Sequence, residues 1–354
     1  MRRISRTVYV KGLALGGGNP VLVQSMTNTP TEDAKATAAQ ANRLAAMGCK
    51  IVRVAVPDME AAKALTEIRV RTDVPLVADI HFDYRLALAA TEAGIDKIRI
   101  NPGNIGSADR VRAVADACRE RAVPIRIGVN SGSVEKDLLA AYGGPTPMAL
   151  ADSALRHADL LDKCGFEDIV ISVKASTVTD MVEANRILAV RTSYPLHLGV
   201  TEAGLPETGA VRSAVGIGAL LLEGIGDTLR VSLTAPPEQE IAPAYAILAA
   251  CGLHEGPRVV SCPTCGRTRV DLIPLARRVE EAVARLPFPL TVAVMGCAVN
   301  GPGEAREADV GVACGEGEGL IFRAGKILRK VPEPMLFDEL MLEIKGIMDE
   351  KTSQ

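Results

Sequence analysis

The sequence has no tryptophan, and only five tyrosines and five phenylalanines among its 354 residues. A core without large rings must be built from Ala, Val, Ile and Leu, which suits alternating strands and helices better than an aromatic-rich sandwich. No apolar run approaches the ~18 residues that span a bilayer. The start, MRRISRTVYVKG, is basic but lacks the apolar stretch of a secretory leader. The chain therefore reads as cytoplasmic, with no membrane partner. A strong charge of one sign is also missing, since the net charge is −3, and no nucleic-acid partner is expected. Neither a second Cys-x-x-Cys nor a His-x-His pair accompanies Cys262-Pro-Thr-Cys265, so the common zinc ligand sets are incomplete. Eight cysteines in a chain this long make a poor disulfide framework.

What is present is a rhythm. Short apolar runs alternate with Ala-rich helical stretches from about residue 20 to 235. Strands are predicted at VLVQSM (21–26), IVRVAV (51–56), LVADIH (76–81), KIRIN (97–101), PIRIGV (124–129), DIVISVK (168–174), PLHLGV (195–200) and TLRVSL (228–233). Eight strands alternating with helices is the count of a (β/α)8 barrel; a doubly wound open sheet is the main competitor. MGCKIVRV, AGIDKIRI and CGFEDIVI each put a glycine between a helix and the next strand, where a left-handed cap is needed. RTVYVKGLALGGGNPV reads as a β-hairpin closing the barrel floor. The Pro-rich APPEQEIAPAY marks the expected boundary between a barrel, 1–236, and a small α/β domain, 237–354. The latter has strands at RVVSC, LTVAVMG, DVGVAC and GLIFRAGK, and helices at DLIPLARRVEEAVARL and PMLFDELMLEIKGIMDE.

The small domain carries the cysteines that matter. Cys262 and Cys265 share one tight turn and can face one metal centre, and Cys297 follows an apolar strand in MGCAVNGPGEA. Glu304 lies beyond a Gly-Pro-Gly turn that can fold it back. Three thiolates and a carboxylate would hold a four-iron four-sulfur cluster with one distinct iron, and oxygen is the poorer match for that iron. Cys314, in VACGEG, is an alternative fourth ligand. Cys49, Cys118, Cys164 and Cys251 read as small buried hydrophobes.

The barrel strands carry unexpected cations: Arg53, Arg99, Arg126, Lys174 and Arg230. Residues of equal parity share a strand face. Arg99 therefore points with Asn101, Arg126 with Asn130, Lys174 with Ser172, and Arg230 with Ser232. Converging at the carboxyl ends of the strands, where barrel active sites form, these groups would neutralise a substrate bearing several phosphate charges. Asp79, His81, His197 and Glu202 share that end, and Glu202 is the general-acid candidate.

SCPTCGRT (261–268), MGCAVNGPGEA (295–305), QSMTNTPT (24–31) and TEAG (201–204) closely resemble the 4-hydroxy-3-methylbut-2-enyl diphosphate synthase family of the methylerythritol phosphate pathway, in motif order and across nearly the whole chain. The resemblance implies reductive ring opening of 2-C-methyl-D-erythritol 2,4-cyclodiphosphate, with electrons from flavodoxin or ferredoxin. It implies one 4Fe-4S cluster per chain on Cys262, Cys265, Cys297 and Glu304. It further implies substrate binding by Arg53, Arg99, Asn101, Arg126, Asn130, Lys174 and Ser232, with Asn300 in the cluster loop, catalytic roles for Glu202 and Glu304, and a head-to-tail homodimer. Two other classes share part of the pattern. One is a pterin- or corrinoid-type barrel methyltransferase, which leaves Cys297 and Glu304 without a purpose. The other is a zinc-stabilised binding module.

Overall fold

The computed structural model describes residues 2–284, 286–297 and 307–352. The chain divides into two compact units, Met1–Leu253 and His254–Gln354.

The first unit opens with the hairpin β1 (Thr7–Val10) and β2 (Leu13–Gly16). Its two-residue turn, Lys11-Gly12, has positive φ at both positions, 49° and 79°, the twist that tight hairpins need. Eight parallel strands follow: β3 (Leu22–Met26), β4 (Ile51–Ala55), β5 (Leu76–Asp79), β6 (Lys97–Ile100), β7 (Ile125–Asn130), β8 (Ile169–Lys174), β9 (His197–Leu198) and β10 (Thr228–Leu229). They are ordered β8-β7-β6-β5-β4-β3-β10-β9, and a parallel bridge between Ile171 and Leu196 closes the ring. The expected (β/α)8 barrel is therefore what the chain forms. Gly48, Gly94 and Gly165, each just after a helix, have φ of 104°, 82° and 68°, the left-handed conformation the repeats require.

Alternation sorts the strand residues. Val52, Val54, Ile98, Ile100, Ile125, Ile127, Ile171 and Val173 face the helices and form the outer core. The opposite parity points inward and changes character with height. At the bottom, Leu22, Ile51, Val77 and Val170 pack against Val8, Val10 and Leu15 of the hairpin, so the hairpin plugs the floor. Above them the interior turns polar, with Gln24, Lys97, Arg126, His197 and Thr228 all buried.

The first unit runs past the expected boundary at 236/237. Pro237–Glu240 form a 3-10 turn and Ile241–Ala250 a helix, whose Ile241, Ala244, Ile247 and Leu248 join the barrel's outer core. Apolar burial, rather than the prolines, decides where the unit ends.

The second unit is a five-stranded sheet ordered β11 (Arg258–Ser261), β12 (Thr291–Met295), β13 (Val310–Cys314), β14 (Glu318–Arg323) and β15 (Lys326–Pro332). The first three are parallel and the last two antiparallel. Helices Leu272–Val283 and Leu336–Thr352 cover it, with Val279, Val292, Val312, Ile321 and Leu340 in the core. β15 was not expected from KILRKVP. It is an edge strand with mostly exposed side chains, and its lysines blunt further pairing. Among the described residues no helix is long and apolar enough to cross a membrane.

Candidate active site

The inward residues at the carboxyl ends of the barrel strands line a cavity of about 340 Å³, among them Arg53, Arg99, Arg126, Lys174, Arg230, Asn130, Ser172 and Ser232. Five basic side chains thus converge on one space. Among the described residues two carboxylates pair with them. Asp79 accepts from Arg99 Nη1 at 3.0 Å and lies 3.6 Å from Arg53 Nε. Glu240 is paired in a fork with Arg230, at 2.9 Å on each oxygen.

Burial and crowding strain the cations. Desolvation, then repulsion by Arg53 and Arg99, pushes Arg126 well below the usual guanidinium range, while Asp79 pulls the other way. Arg53 is pushed down to about 10, mainly by burial, against the attraction of Asp79. Lys174 is lowered by burial and by Arg53, Arg230 and Arg126. Burial would raise the Asp79 carboxyl, but the Arg53 charge, the His81 hydrogen bond and the Arg99 charge together hold it well below the carboxylate range. A guanidinium does not escape by losing its proton. A bound polyanion is the chemistry that relieves such a set.

Two glycines make the convergence possible. A Cβ on Gly128 would overlap Arg99 Nε, and one on Gly199 would lie 3.0 Å from Lys174 Nζ. Both cations lie flat across bare backbone.

A second cavity of about 580 Å³ shares His81, Arg99, Gly128, Asn130 and Thr201 with the first, and adds Asn101, Glu135, Lys136, Ser176 and Glu202. Asn101 is buried and its Oδ1 accepts from the Gly103 amide at 3.2 Å. Glu202 has a left-handed backbone, φ 52°, a conformation that costs a non-glycine residue energy and gathers at functional sites. Its carboxylate accepts from Ser176 Oγ at 2.7 Å. The barrel residues singled out in the sequence therefore line these two cavities, with Glu202 beside the cationic pocket, except His197, which is buried lower in the barrel against Thr228. Sequence reasoning missed Glu240, Ser176 and Gly128.

In the second unit Cys262 follows β11 and Cys297 follows β12, at the carboxyl ends of adjacent parallel strands. Cys262 is half-buried, Cys265 exposed and Cys297 buried. The Gly296 amide donates to Cys262 Sγ at 3.1 Å, and hydrogen bonds from Arg267 lower the Cys265 thiol. Amides and cations aimed at sulfur suit thiolate ligands of a cluster. Cys314 is fully buried, and its thiol is pushed up to about 12 by burial, then Glu333, Cys262 and Cys297. Glu304 and Asn300 lie outside the described residues. Among the described residues no three His, Cys, Asp or Glu side chains form a ready metal site.

The GcpE TIM-barrel domain model matches residues 5–245, and the GcpE protein C-terminal domain model matches 258–346. The chain belongs to the GcpE family. Relatives named 4-hydroxy-3-methylbut-2-en-1-yl diphosphate synthase (flavodoxin) include that of Maridesulfovibrio salexigens, 56% identical over 100% of this chain and 99% of its own. That of Geobacter sulfurreducens is 55% identical over 99% of this chain and 100% of its own. Among solved structures, dihydropteroate synthase from Stenotrophomonas maltophilia matches 70% of this chain and 97% of its own, with a TM-score of 0.51 at 14% identity. Type I 3-dehydroquinate dehydratase from Clostridium difficile matches 70% and 98%, also with a TM-score of 0.51, at 16% identity. Likeness at that level concerns the fold alone. The GcpE models stop and restart on either side of 245–258, which brackets the division between the two compact units.

Proposed function

We propose that this GcpE-family chain reduces 2-C-methyl-D-erythritol 2,4-cyclodiphosphate to 4-hydroxy-3-methylbut-2-enyl diphosphate. The observation that carries the reading is the cavity lined by five basic side chains, against which stand the paired carboxylates of Asp79 and, behind Arg230, Glu240. A cyclic diphosphate supplies the missing negative charge. A pterin ring carries no such charge, which disfavours the methyltransferase alternative.

In the reaction two electrons and two protons are taken up, the carbon–oxygen bond to one phosphate breaks, a double bond forms and a hydroxyl leaves as water. Arg53, Arg126, Lys174, Arg230 and Ser232 neutralise and hold the phosphates. Arg99 and Asn130 stand where the two cavities join, Asn101 lines the larger one, and the three orient the carbon skeleton. Glu202 delivers a proton to the departing oxygen. Cys262, Cys265 and Cys297, with Glu304, would hold one 4Fe-4S cluster per chain, whose chemistry would be one-electron transfer, with flavodoxin or ferredoxin as the source. The relatives' names mention flavodoxin, which favours it as donor. The family resemblance would add Asn300 to the substrate-binding residues. All eight cysteines are unpaired, in keeping with a reducing cytoplasm.

Anaerobically purified protein should be brown, carry about four irons and four sulfides per chain, and turn over the cyclic diphosphate with reduced flavodoxin. Colourless protein with one zinc would defeat the reading. A head-to-tail dimer completes it: mixing Cys265→Ser with Arg126→Met chains should restore activity that neither has alone.

A further inference from the structure

Glu240 touches more of the barrel mouth than any motif suggests. It ends the 3-10 turn Pro237–Glu240 and is buried, 2% exposed. Both carboxylate oxygens are filled. Oε2 accepts from Ser25 Oγ at 2.7 Å and from Arg230 Nε at 2.9 Å, while Oε1 accepts from Arg230 Nη2 at 2.9 Å and from the Leu233 amide at 3.3 Å. The partners bracket Ser232. Arg230 is held by its side chain two residues before it, and Leu233 by its backbone one residue after. Ser25 adds an anchor on β3, the strand paired with β10. Arg230 Nη1 is left outside this fork, 3.6 Å from Met26 Sδ.

Such a fork removes rotamer freedom from a long side chain before any ligand arrives, at the cost of one negative charge beside an anion site. The four bonds to one carboxylate outweigh the weak repulsion of a ligand lying beyond the guanidinium, because a paired and buried charge acts outward as a dipole rather than as a full charge. We propose that Glu240 is a positioning residue for the phosphate groups: it presets Arg230 and Ser232, and so ties the segment after the last barrel strand to substrate affinity. This rests on the cyclic diphosphate reading above.

The test uses the cluster-loaded enzyme and two ligands, the cyclic diphosphate in turnover and inorganic pyrophosphate in calorimetry. Glu240→Gln, which keeps the shape but cannot hold the fork, should weaken both KM and the pyrophosphate Kd roughly tenfold, about 1.4 kcal/mol, with kcat changed less than about threefold and the cluster's visible spectrum unchanged. In an Arg230→Met background the same substitution should add much less, because the main group it positions is gone and only the hold on Ser232 through the Leu233 amide remains. If Glu240→Gln does not fold, Ser25→Ala, which removes one of the four donors, should raise KM about threefold. Unchanged or tighter pyrophosphate binding, or effects that add fully across the two backgrounds, would overturn the role. Wild-type protein that binds neither ligand would instead overturn the diphosphate reading itself.

Discussion

Arg99 lies across Gly128, donating from Nη2 to the glycine's own carbonyl at 3.2 Å and leaving no room for a Cβ. The neighbouring strands pair Arg99 with Arg126, so the guanidinium reaches diagonally over β7 to the point where both cavities meet. Gly128→Ala should therefore displace Arg99 and raise KM for the diphosphate substrate by roughly tenfold or more, about 1.4 kcal/mol. The barrel should keep its far-ultraviolet circular dichroism. Normal KM would mean that Arg99 has another resting place.

Ser176 should matter through Glu202. Removing its hydroxyl frees a carboxylate held at 2.7 Å on a left-handed backbone. Ser176→Ala is expected to lower kcat roughly fivefold, about the worth of one hydrogen bond to a charged group in a partly exposed place, with KM little changed. A change confined to KM would place Glu202 in binding instead.

Acid should loosen the barrel from inside. His197 is fully buried with Nδ1 2.8 Å from Thr228 Oγ1, and its pKa is pushed well below the usual value by burial and by Arg126, Lys174, Lys97 and Arg53. Below the imidazole's ordinary pKa the unfolded chain takes a proton that the folded one refuses. Stability should then fall by about 1.4 kcal/mol per pH unit below pH ~6.5. Asp79, depressed in the fold, adds its own loss at lower pH as it nears the carboxylate range. His197→Gln should flatten the upper part of that slope in urea titrations; an unchanged slope would assign it elsewhere.

Lys97 Nζ is buried and has no hydrogen-bond partner among the described residues. Burial, Arg126 and Arg53 lower its pKa well below the ordinary lysine value. It also lies outside the lining of the cationic cavity. Lys97→Met should stabilise the fold by about 1–3 kcal/mol, the usual cost of an unsatisfied buried polar group, seen as a higher urea midpoint.

Cys297→Ala should abolish the cluster's absorbance yet leave pyrophosphate binding intact, because the thiols and the cations belong to separate compact units. Loss of both together would show that the cluster also shapes the phosphate site.

Much of this was legible in the residues, for identifiable reasons. Gly48, Gly94 and Gly165 announced the helix-to-strand turns because only glycine takes those φ angles cheaply. Strand parity placed Arg53, Arg99, Lys174 and Ser232 on the inner face, since period two is rigid. Glu240 was hidden because Pro236 and Pro237 read as a linker, whereas the helix after them is apolar enough to fold back on the barrel. β15 was hidden because an edge strand needs no buried face. Ser176 and Gly128 carry no local signal; their meaning lies in side chains 26 and 29 residues away in sequence.

The hairpin plug has a consequence for traffic. Val8, Val10 and Leu15 stop the barrel from below, so whatever comes in over the cations must back out the same way. Substrate and product, both diphosphates, cannot pass each other in a dead-end street. The grip that captures one also holds the other, so a weaker grip costs capture and eases departure together. Moderate salt, by loosening that grip, should then slow the reaction most when substrate is scarce.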